Sequence, residues 1–265
     1  MSTITWTNPA GGDWSVRADW SSSPNLPGPG DEVAITLPGT YTVTQSGTVT
    51  VAGLVLADPS GTLDTNGDLN AGTLTLDAGV LDLNGTLANT TVLDNGGTVQ
   101  FEDTATLSGV TWRGTLDFAG TSGLDFRFLD IVGGLTVTGA DGISPGVIDF
   151  SGWTFDILDD ETFDNVTLNL RVLGFDAKNL TLGAHASLNL AGDSDTDQSV
   201  GTLVNAGQIN FLGGFDEFNT TALFNSGTMS VSSGTVDFQI GSPFQVSPRA
   251  FRQYGRHRSR RRRGR

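Results

Sequence analysis

A five-residue pattern, glycine followed by alternating apolar and polar residues, recurs along most of the chain. Clear copies begin at Gly72, Gly79, Gly97, Gly114, Gly146, Gly207 and Gly234. An apolar residue at every second position predicts a short β-strand with one buried face. Glycine at the start of each strand predicts a tight corner, because glycine adopts positive φ angles at little cost. The chain is therefore expected to consist of many short strands joined by sharp turns.

The spacing of two similar segments predicts how these strands are arranged. The segment Leu203–Gly207 returns further along the chain as Leu223–Gly227, which aligns Asn205 with Asn225. An offset of roughly 20 residues predicts an all-β, right-handed parallel β-helix, or β-solenoid, in which each coil stacks on the previous one. Residues 40–240 would then form roughly ten coils, and asparagines at equivalent corners would form a side-chain ladder.

A β-sandwich is the alternative fold, because it also has short alternating strands separated by frequent turns. Two features favour the solenoid. The strands that begin at glycine share one internal pattern, and the chain is long for a single sandwich without a clear linker.

Composition supports an all-β chain and excludes several kinds of site. The chain has 34 Thr, 25 Asp and 15 Asn but only four Glu, two Met and one Lys, so strand and turn formers far outnumber good helix formers. The absence of Cys excludes disulfides, a thiol nucleophile and metal sites with Cys ligands. No apolar run approaches the length of a transmembrane helix, so no membrane span is predicted.

Charge divides the chain into an acidic body and a basic tail. Residues 1–240 contain all 29 acids and five bases, whereas residues 241–265 contain nine Arg and no acid. The field of the body would repel nucleic acid, so none is expected as its partner. The Arg-rich stretch 249–265 predicts a disordered segment that attracts polyanions. The abrupt change in composition favours another interpretation, the frameshifted or truncated end of a longer repeat gene.

The N-terminal segment, residues 1–39, differs from the repeat and is expected to form a cap. It contains Trp6, Trp14 and Trp20, which are large enough to cover the apolar end of the first coil. The predicted organisation is a capping segment at 1–39, solenoid repeats at 40–240 and a disordered basic tail at 241–265. The start lacks a basic region followed by an apolar one, so the protein is expected to be cytoplasmic, exported by another route, or a fragment.

Two N-terminal motifs and a later repeat resemble bacterial β-strand-repeat surface proteins. Residues 6–21 contain spaced Trp, with Asp19 where Asn is commoner, and 27–35 read Pro-Gly-Pro-Gly-Asp-Glu-Val-Ala-Ile. The Asn-x-Gly-x-Ile or Met units at 205–211 and 225–231 are similar to that family's repeat. The resemblance implies a parallel β-helix rod of the adhesin or autotransporter-passenger type. It also implies a secreted or cell-surface location reached without a recognisable N-terminal signal, and a chain that is one fragment of a longer protein.

Display is the function that these features predict. Outward Thr, Asn and Asp side chains along a stiff solenoid would offer weak polar contacts to glycans or other cell-surface polymers. The ends of the solenoid would offer a route to self-association. The chain is therefore expected to be a structural or adhesive protein rather than an enzyme.

A carbohydrate-active β-helix enzyme, either a hydrolase or a lyase, is the second hypothesis. Asp159, Asp160 and Glu161 form the densest acidic cluster and would be its catalytic candidates, since such hydrolases use paired carboxylates. A solvated loop between coils is the simpler interpretation of these three residues. His185 is expected on an outward strand or turn, and no Gly-x-Ser-x-Gly motif accompanies it.

The best metal candidate is the alternation of carboxylates at Asp193, Asp195 and Asp197. Such carboxylates can surround one Ca²⁺, which prefers oxygen ligands. Gln198 and Val204 stand where an EF-hand loop needs Gly and Glu, so the site would bind only weakly or would be a simple polar turn. No other cofactor is predicted.

Thr-x-Thr pairs suggest a third hypothesis, the binding of ice or another crystalline surface. These pairs occur at 40–44, 48–50, 73–75 and 136–138. Surface binding requires them at a constant spacing on one flat face. Their spacing in the sequence is irregular, and Thr is also a common strand residue, which disfavours this hypothesis.

Overall fold

A computed structural model describes residues 3–100, 104–117, 128–175, 178–191, 197–213, 215–240, 244–246 and 251–253. The chain is nearly all β, with 63% strand and 1% helix, and its parallel stacked coils form about eight turns of a β-solenoid. This confirms the predicted fold class. Contacts divide the chain into two compact units, Met1–Val147 and Ile148–Arg265. The predicted division at residues 39 and 240 stays a prediction.

Among its described residues, the first unit contains the strands β1 to β14 and one short 3₁₀ helix, Arg17–Asp19. The strands are β1 (Thr3–Thr5), β2 (Gly12–Asp13), β3 (Glu32–Ile35), β4 (Tyr41–Gln45), β5 (Val49–Leu56), β6 (Gly61–Thr65), β7 (Asp68–Leu76), β8 (Val80–Leu83), β9 (Thr86–Ala88), β10 (Thr91–Asp94), β11 (Thr98–Gln100), β12 (Thr104–Arg113), β13 (Thr115–Asp117) and β14 (Phe128–Thr138).

Two groups of parallel strands form the walls of this unit. One follows the order β1-β3-β5-β7-β10-β12-β14, with β9 between β7 and β12, and the other follows β2-β4-β6-β8-β11. Neighbouring strands such as β3 and β5, or β4 and β6, run parallel, and from β1 to β8 the chain alternates between the two groups. This alternation is the connectivity of a solenoid, because a sandwich of hairpins would give antiparallel pairs.

The second unit contains the remaining strands. They are β15 (Gly146–Ile157), β16 (Glu161–Phe163), β17 (Val166–Phe175), β18 (Leu180–Leu182), β19 (Ser187–Leu190), β20 (Asp197–Asn205), β21 (Gln208–Phe211), β22 (Phe215–Asn225), β23 (Thr228–Val231), β24 (Thr235–Ile240), β25 (Phe244–Val246) and β26 (Phe251–Gln253). One wall follows β15-β17-β19-β21-β23-β26, and the other follows β16-β18-β20-β22-β24, with β25 also beside β22.

The register confirms the repeat that the two similar segments predict. Leu203 pairs with Leu223 and Asn205 with Asn225, in the alignment read from the sequence. Other coils are longer, since Leu180 pairs with Leu203. Others are shorter, since Thr62 pairs with Val80. The structure has about eight turns rather than the predicted ten or so.

The predicted asparagine ladder is present in the interior. Asn205 and Asn225 are buried, and the side-chain amide of Asn205 donates to Oδ1 of Asn225 at 2.7 Å. The Oδ1 of Asn205 accepts a hydrogen bond from the backbone N–H of Gly207 at 3.1 Å. The ladder therefore satisfies Oδ1 of both asparagines at a corner that is closed to solvent, while Nδ2 of Asn225 has no hydrogen-bond partner among the described residues.

Apolar side chains fill the interior in the alternating pattern read from the sequence. In β7, for example, Leu69, Ala71, Leu74 and Leu76 are buried, while the residues between them are more exposed. The Phe-rich stretch 151–175 does not follow the sequence repeat but still forms coil strands. Phe155 lies inside this stretch, with its ring centroid 6.2 Å from those of both Phe150 and Phe163.

The three N-terminal tryptophans form one buried cluster. The ring of Trp20 lies edge-on to both other rings, with centroids 4.9 Å from Trp6 and 4.6 Å from Trp14. The indole N–H of Trp20 donates to the carbonyl of Trp14 at 2.8 Å. Residues 19–21 also run beside the outer edge of β1, where the N–H of Thr7 donates to the carbonyl of Asp19 at 2.8 Å.

The prediction that glycine opens each strand because it adopts a positive φ angle is right at some positions and wrong at others. Gly79, Gly114 and Gly234 have φ angles of 83°, 131° and 88°, as tight corners require. The other four glycines that open the quoted copies, Gly72, Gly97, Gly146 and Gly207, are not among the positive-φ residues. A Cβ at each of them would instead collide with a neighbouring part of the chain. At Gly72 it would lie 2.6 Å from the carbonyl oxygen of Ala52.

Two short strands, β25 and β26, fall within the segment predicted as a disordered basic tail. Residues 241–243, 247–250 and 254–265 of that segment lie outside the described residues.

Candidate functional site

The outer face of the second unit carries a column of polar side chains, three amides and one hydroxyl, on four successive coils. This asparagine column consists of Asn169, Asn189, Asn210 and Ser230, which pair in register on β17, β19, β21 and β23. Side chains alternate along a strand, so the buried residues on either side of each member direct it outward. The column is half-buried, and it follows directly from the inward packing of the neighbouring apolar residues.

Hydrogen bonds join the members of the asparagine column. The amide of Asn189 donates to Oδ1 of Asn169, and the amide of Asn210 donates to Oδ1 of Asn189, both at 2.8 Å. The hydroxyl of Ser230 donates to Oδ1 of Asn210, also at 2.8 Å. An amide has two N–H donors and two carbonyl lone pairs, so Asn189 keeps one donor and one acceptor beyond its ladder bonds. Neighbouring strands place these groups about 4.8 Å apart.

The first unit carries a threonine column on its outer face. It consists of Thr73, Thr91, Thr111 and Thr136, which are register partners on β7, β10, β12 and β14. Unequal lengths of chain separate these residues in the sequence, yet they occupy equivalent places on successive strands. The irregular spacing that disfavours surface binding in the sequence is thus removed by the fold, because the corners absorb the extra residues.

A second, less regular column runs beside the threonine column. Its members on the same four strands are Thr75, Leu93, Arg113 and Thr138. The two threonine pairs at 73–75 and 136–138 therefore lie on one face, separated by coils that carry Leu93 and Arg113. The face is a mixture of hydroxyl, apolar and cationic groups rather than a uniform threonine array.

The other wall of the first unit carries carboxylates bonded to amides. Asp64 and Asp82 pair in register on β6 and β8. The amide of Asn84 donates to both carboxylates, at 3.4 Å to Asp64 and 3.1 Å to Asp82. The amide of Gln100 donates to Asp82 at 3.1 Å, and that of Asn66 to Asp64 at 2.9 Å. Amide donors thus lie between like charges that stacking brings close together.

The acidic cluster at 159–161 does not converge on one side of the strand. Asp159 and Asp160 are exposed, as expected for a loop between coils. Glu161 begins β16 and is buried, with 8% of its surface exposed, so the loop prediction is wrong for this residue. Its position follows from strand alternation, because Glu161 faces the same side as the buried Phe163.

The carboxylate of Asp160 is hydrogen-bonded to the beginning of the next coil. Its carboxylate accepts hydrogen bonds from the backbone N–H of Asn179 at 3.0 Å and from the Asn179 side-chain amide. The backbone hydrogen bond is the main reason that the pKa of Asp160 is lowered. This contact joins two coils, which gives Asp160 a structural role in the fold.

His185 is an exposed turn residue, as its sequence context predicts. Its Nδ1 lies 3.5 Å from Oδ1 of Asp164, and both side chains are largely exposed. The backbone N–H of His185 donates to the same oxygen at 2.9 Å and is the main cause of the lowered pKa of Asp164. The pair links two successive coils at their surface.

The structure describes only one of the three aspartates predicted as Ca²⁺ ligands. Asp193 and Asp195 lie outside the described residues, and Asp197 is described as a backbone position in β20, in register with Glu217. Among the described residues there is no group of three or more His, Cys, Asp or Glu side chains that would hold a metal ion. The part of the chain that the structure describes also contains no helix with the length and apolarity needed to cross a bilayer.

The asparagine column is not among the features predicted from the sequence, although a signal for it was present. Asn169, Asn189 and Asn210 each lie between two large apolar residues, in Leu-Asn-Leu, Leu-Asn-Leu and Ile-Asn-Phe. The intervals between them, 20 and 21 positions, match the period of the coils. Aligning these triplets would have predicted the column.

The fold and the outer faces together define a parallel β-solenoid with columns of polar side chains. No protein-family model, curated protein or solved structure matches the chain. The fold and the arrangement of its surface groups are therefore the basis for a functional conclusion.

Proposed function

We propose that the chain is a structural and adhesive solenoid that displays weak polar contacts to glycans or other hydroxyl-rich polymers. The observation that carries this proposal is the asparagine column, which repeats one amide or hydroxyl on each of four successive coils. A polymer is a suitable ligand for such a column, because each repeated unit adds a further weak contact and the contacts act together.

The hydrogen bonds within the column make it suited to this role. Because Asn189 donates to Asn169 and accepts from Asn210, its amide is held in one orientation before any ligand arrives. Pre-ordered groups lose little conformational entropy on binding. The remaining N–H donors and carbonyl lone pairs match sugar hydroxyls, which both donate and accept hydrogen bonds.

A secreted or cell-surface location forms part of the proposal. Its support is the resemblance of residues 6–21 and 27–35 to the start of bacterial β-strand-repeat surface proteins of the adhesin and autotransporter type. The absence of Cys and the excess of acidic residues in 1–240 are compatible with that location. The test is whether protease added to intact cells of the source organism degrades the protein, with a cytoplasmic protein as the control.

The binding proposal is tested with immobilised polysaccharides of known structure, including cellulose, chitin and xylan. We expect the chain to bind at least one of them, and the Asn189→Val variant to bind it about tenfold more weakly, equivalent to ~1.4 kcal/mol. Thr181→Val is the matched control, because Thr181 is also an outward, half-buried strand residue of the second unit. Equal binding by both variants, or no binding to any polymer, would count against the proposal.

We also propose that the chain is not an enzyme. The support is the separation of the candidate acids, since Glu161 faces the interior while Asp160 is bonded to Asn179 at the surface. The measurement is a polysaccharide depolymerisation screen with and without Ca²⁺. Release of reducing ends that is lost in Asp160→Asn or Glu161→Gln would instead establish the hydrolase or lyase alternative.

Binding to ice or another crystalline surface is a second candidate function, and the threonine column favours it. Four hydroxyl-bearing side chains at equal strand spacing present a regular array to an ordered surface. Arg113 and Leu93 interrupt the neighbouring column, so we expect only weak activity.

Inhibition of ice recrystallisation is the measurement for this second candidate. Thr111→Lys places a long charged side chain in the threonine column and is expected to abolish the effect. Thr62→Lys, on the other wall of the same unit, serves as its control. A native chain without effect on ice growth would remove this candidate.

A further inference from the structure

Five Asn-x-Thr sequons, the acceptor motif for N-linked sugars, occur in the chain. They begin at Asn84, Asn89, Asn165, Asn179 and Asn219. In a chain this rich in Thr, the motif alone selects none of them. The structure distinguishes them by the exposure and the hydrogen bonds of each asparagine side chain.

Four of these asparagines already have interactions within the fold. The amide of Asn84 donates to Asp64 and Asp82. The side chain of Asn179 donates to Asp160 and accepts from the backbone N–H of Thr202 at 3.0 Å. Asn165 and Asn219 also interact with other residues. A transferase acting on the folded chain would have to break or avoid these interactions.

Asn89 differs from the other four in the hydrogen bonding of its side chain, whereas it shares its exposure with Asn179 and its positive φ with Asn165. It is an exposed residue at the corner between β9 and β10, and its φ of 47° places it in the left-handed region. Its backbone N–H donates to the carbonyl of Ser108 at 2.8 Å, which fixes the corner. Among the described residues, no hydrogen bond to its side-chain amide is found.

The residues around Asn89 leave the amide accessible. The following residue, Thr90, is buried and holds the corner from inside, because its hydroxyl donates to the carbonyl of Ala88 at 2.8 Å. On the next two coils the equivalent corners contain Gly109 and Gly133, which have no side chains. Thr91, the hydroxyl residue of the sequon, is an outward member of the threonine column.

We propose that Asn89 is an N-glycosylation site whose donor is a nucleoside-diphosphate hexose. In this reaction a transferase joins the side-chain nitrogen of Asn89 to the anomeric carbon of the sugar. The bond from that carbon to the diphosphate breaks, the nucleoside diphosphate leaves with the bonding electrons, and the amide nitrogen releases one proton to the solvent. The side chain of Asn89 lies over a glycine of the next coil, since a Cβ on Gly109 would be 3.3 Å from Oδ1 of Asn89. This inference does not depend on the proposed adhesive function.

The test uses the folded full-length chain, a soluble Asn-glycosyltransferase that recognises Asn-x-Ser/Thr, and UDP-glucose. Peptide mass spectrometry measures the occupancy of each sequon in the folded and the urea-denatured chain. We expect Asn89 to carry one hexose in the folded chain, with Asn84 and Asn179 at least about tenfold less occupied because their side chains must first break hydrogen bonds within the fold. In the denatured chain we expect all five sequons to react.

Three variants separate the sequon chemistry from effects on folding. Asn89→Asp removes the acceptor nitrogen while keeping a residue type that tolerates the left-handed region. Thr91→Val removes the hydroxyl but keeps the branched shape, and Thr91→Ser restores it. Hexose addition at position 89 should be lost in the first two variants and retained in the third. Absence of hexose at Asn89 in the folded native chain, or equal occupancy of Asn84 and Asn179 in that chain, would overturn the inference.

Discussion

Close stacking of the coils requires glycine at several corners of this solenoid, besides the corners where the φ angle is positive. The close approach of stacked coils is seen at one corner of the first unit, which contains Gly47, Gly67 and Gly85. A Cβ on Gly67 would collide with the carbonyl oxygen of Gly47, and a Cβ on Gly85 with that of Gly67. None of the three has a positive φ angle, so the constraint comes from the neighbouring coil. Gly47 has open space where its Cβ would lie.

This glycine column predicts different effects for two identical substitutions. Gly67→Ala should destabilise the chain by about 1–3 kcal/mol, because the added methyl group forces adjacent backbones apart. Gly47→Ala should be neutral or stabilising by up to ~1 kcal/mol, since it reduces the entropy of the unfolded chain. Denaturant unfolding followed by circular dichroism measures both. Equal losses in the two variants would contradict the role of stacking.

Asp141 provides a prediction about pH at a single residue. Its carboxylate accepts hydrogen bonds from the hydroxyl and backbone N–H of Ser144 and from the N–H of Ile143, and these lower its pKa from 3.8 to about 2. Because the folded pKa is the lower one, the stabilisation from this carboxylate is present above the ordinary pKa. It is lost as the pH falls towards about 2.

An NMR titration of the Asp141 carboxyl carbon is the measurement for this prediction. Ser144→Ala should raise the midpoint towards 3.8, since the side-chain hydrogen bond is the largest cause of the shift. Ser60→Ala is a suitable control, because it changes a serine elsewhere in the first unit. An unchanged midpoint in Ser144→Ala would show that the hydroxyl has no influence.

At the scale of elements, side-chain ladders link each strand to the next. The second unit has an inner ladder at Asn205 and Asn225 and an outer one along the asparagine column. The same kind of hydrogen bond has different consequences in the two places. Loss of a partner inside leaves a buried polar group without compensation, whereas outside water replaces the partner.

Asn205→Ala is accordingly expected to cost about 1–3 kcal/mol, because Oδ1 of Asn225 and the N–H of Gly207 lose their partner. Asn210→Ala in the outer ladder should cost less, about 0.5–1.5 kcal/mol. A double-mutant cycle of Asn205→Ala and Asn225→Ala, measured by denaturant unfolding, should give a coupling of about 0.5–3 kcal/mol. Strict additivity in that cycle would show that the inner ladder contributes no stability.

At the scale of the whole molecule, the N-terminal segment covers a strand edge that would otherwise be exposed. The outer edge of β1 is paired by residues 19–21, since the N–H of Ser21 donates to the carbonyl of Thr5 at 3.0 Å. Trp20 holds this segment against Trp6 and Trp14 and is 1% exposed. An uncovered edge presents free N–H and C=O groups to other chains, so the cover opposes association at this end.

The variant Trp20→Ala tests whether the N-terminal segment protects the outer edge of β1. The loss of a buried aromatic ring should cost about 3–5 kcal/mol and release residues 19–21 from β1. The variant is therefore expected to associate as its concentration rises, which light scattering after size-exclusion chromatography detects. Val16→Ala is the control, because Val16 lies in the same segment but is 42% exposed. If Trp20→Ala is as stable and as monodisperse as Val16→Ala, the cover does not protect this edge.

The sequence by itself determined the all-β class, the parallel coils and the side of each strand that faces inward. These properties depend on local alternation and on the return of similar segments at one coil's length, both of which are visible in the sequence, as in Leu203–Gly207. The buried Asn205–Asn225 pair was predictable for the same reason, since both asparagines occupy one position of the repeat.

Only the tertiary structure decided which residues share the threonine column. Thr73 pairs with Thr91 and Thr111 pairs with Thr136, although the second pair is separated by a longer stretch of chain, because the corners take up the difference. Local patterns do not specify how many residues a corner contains. The threonine column therefore could not be predicted from the sequence. The accessibility of Asn89 was also decided by the fold, since it depends on what the neighbouring coils place around that corner.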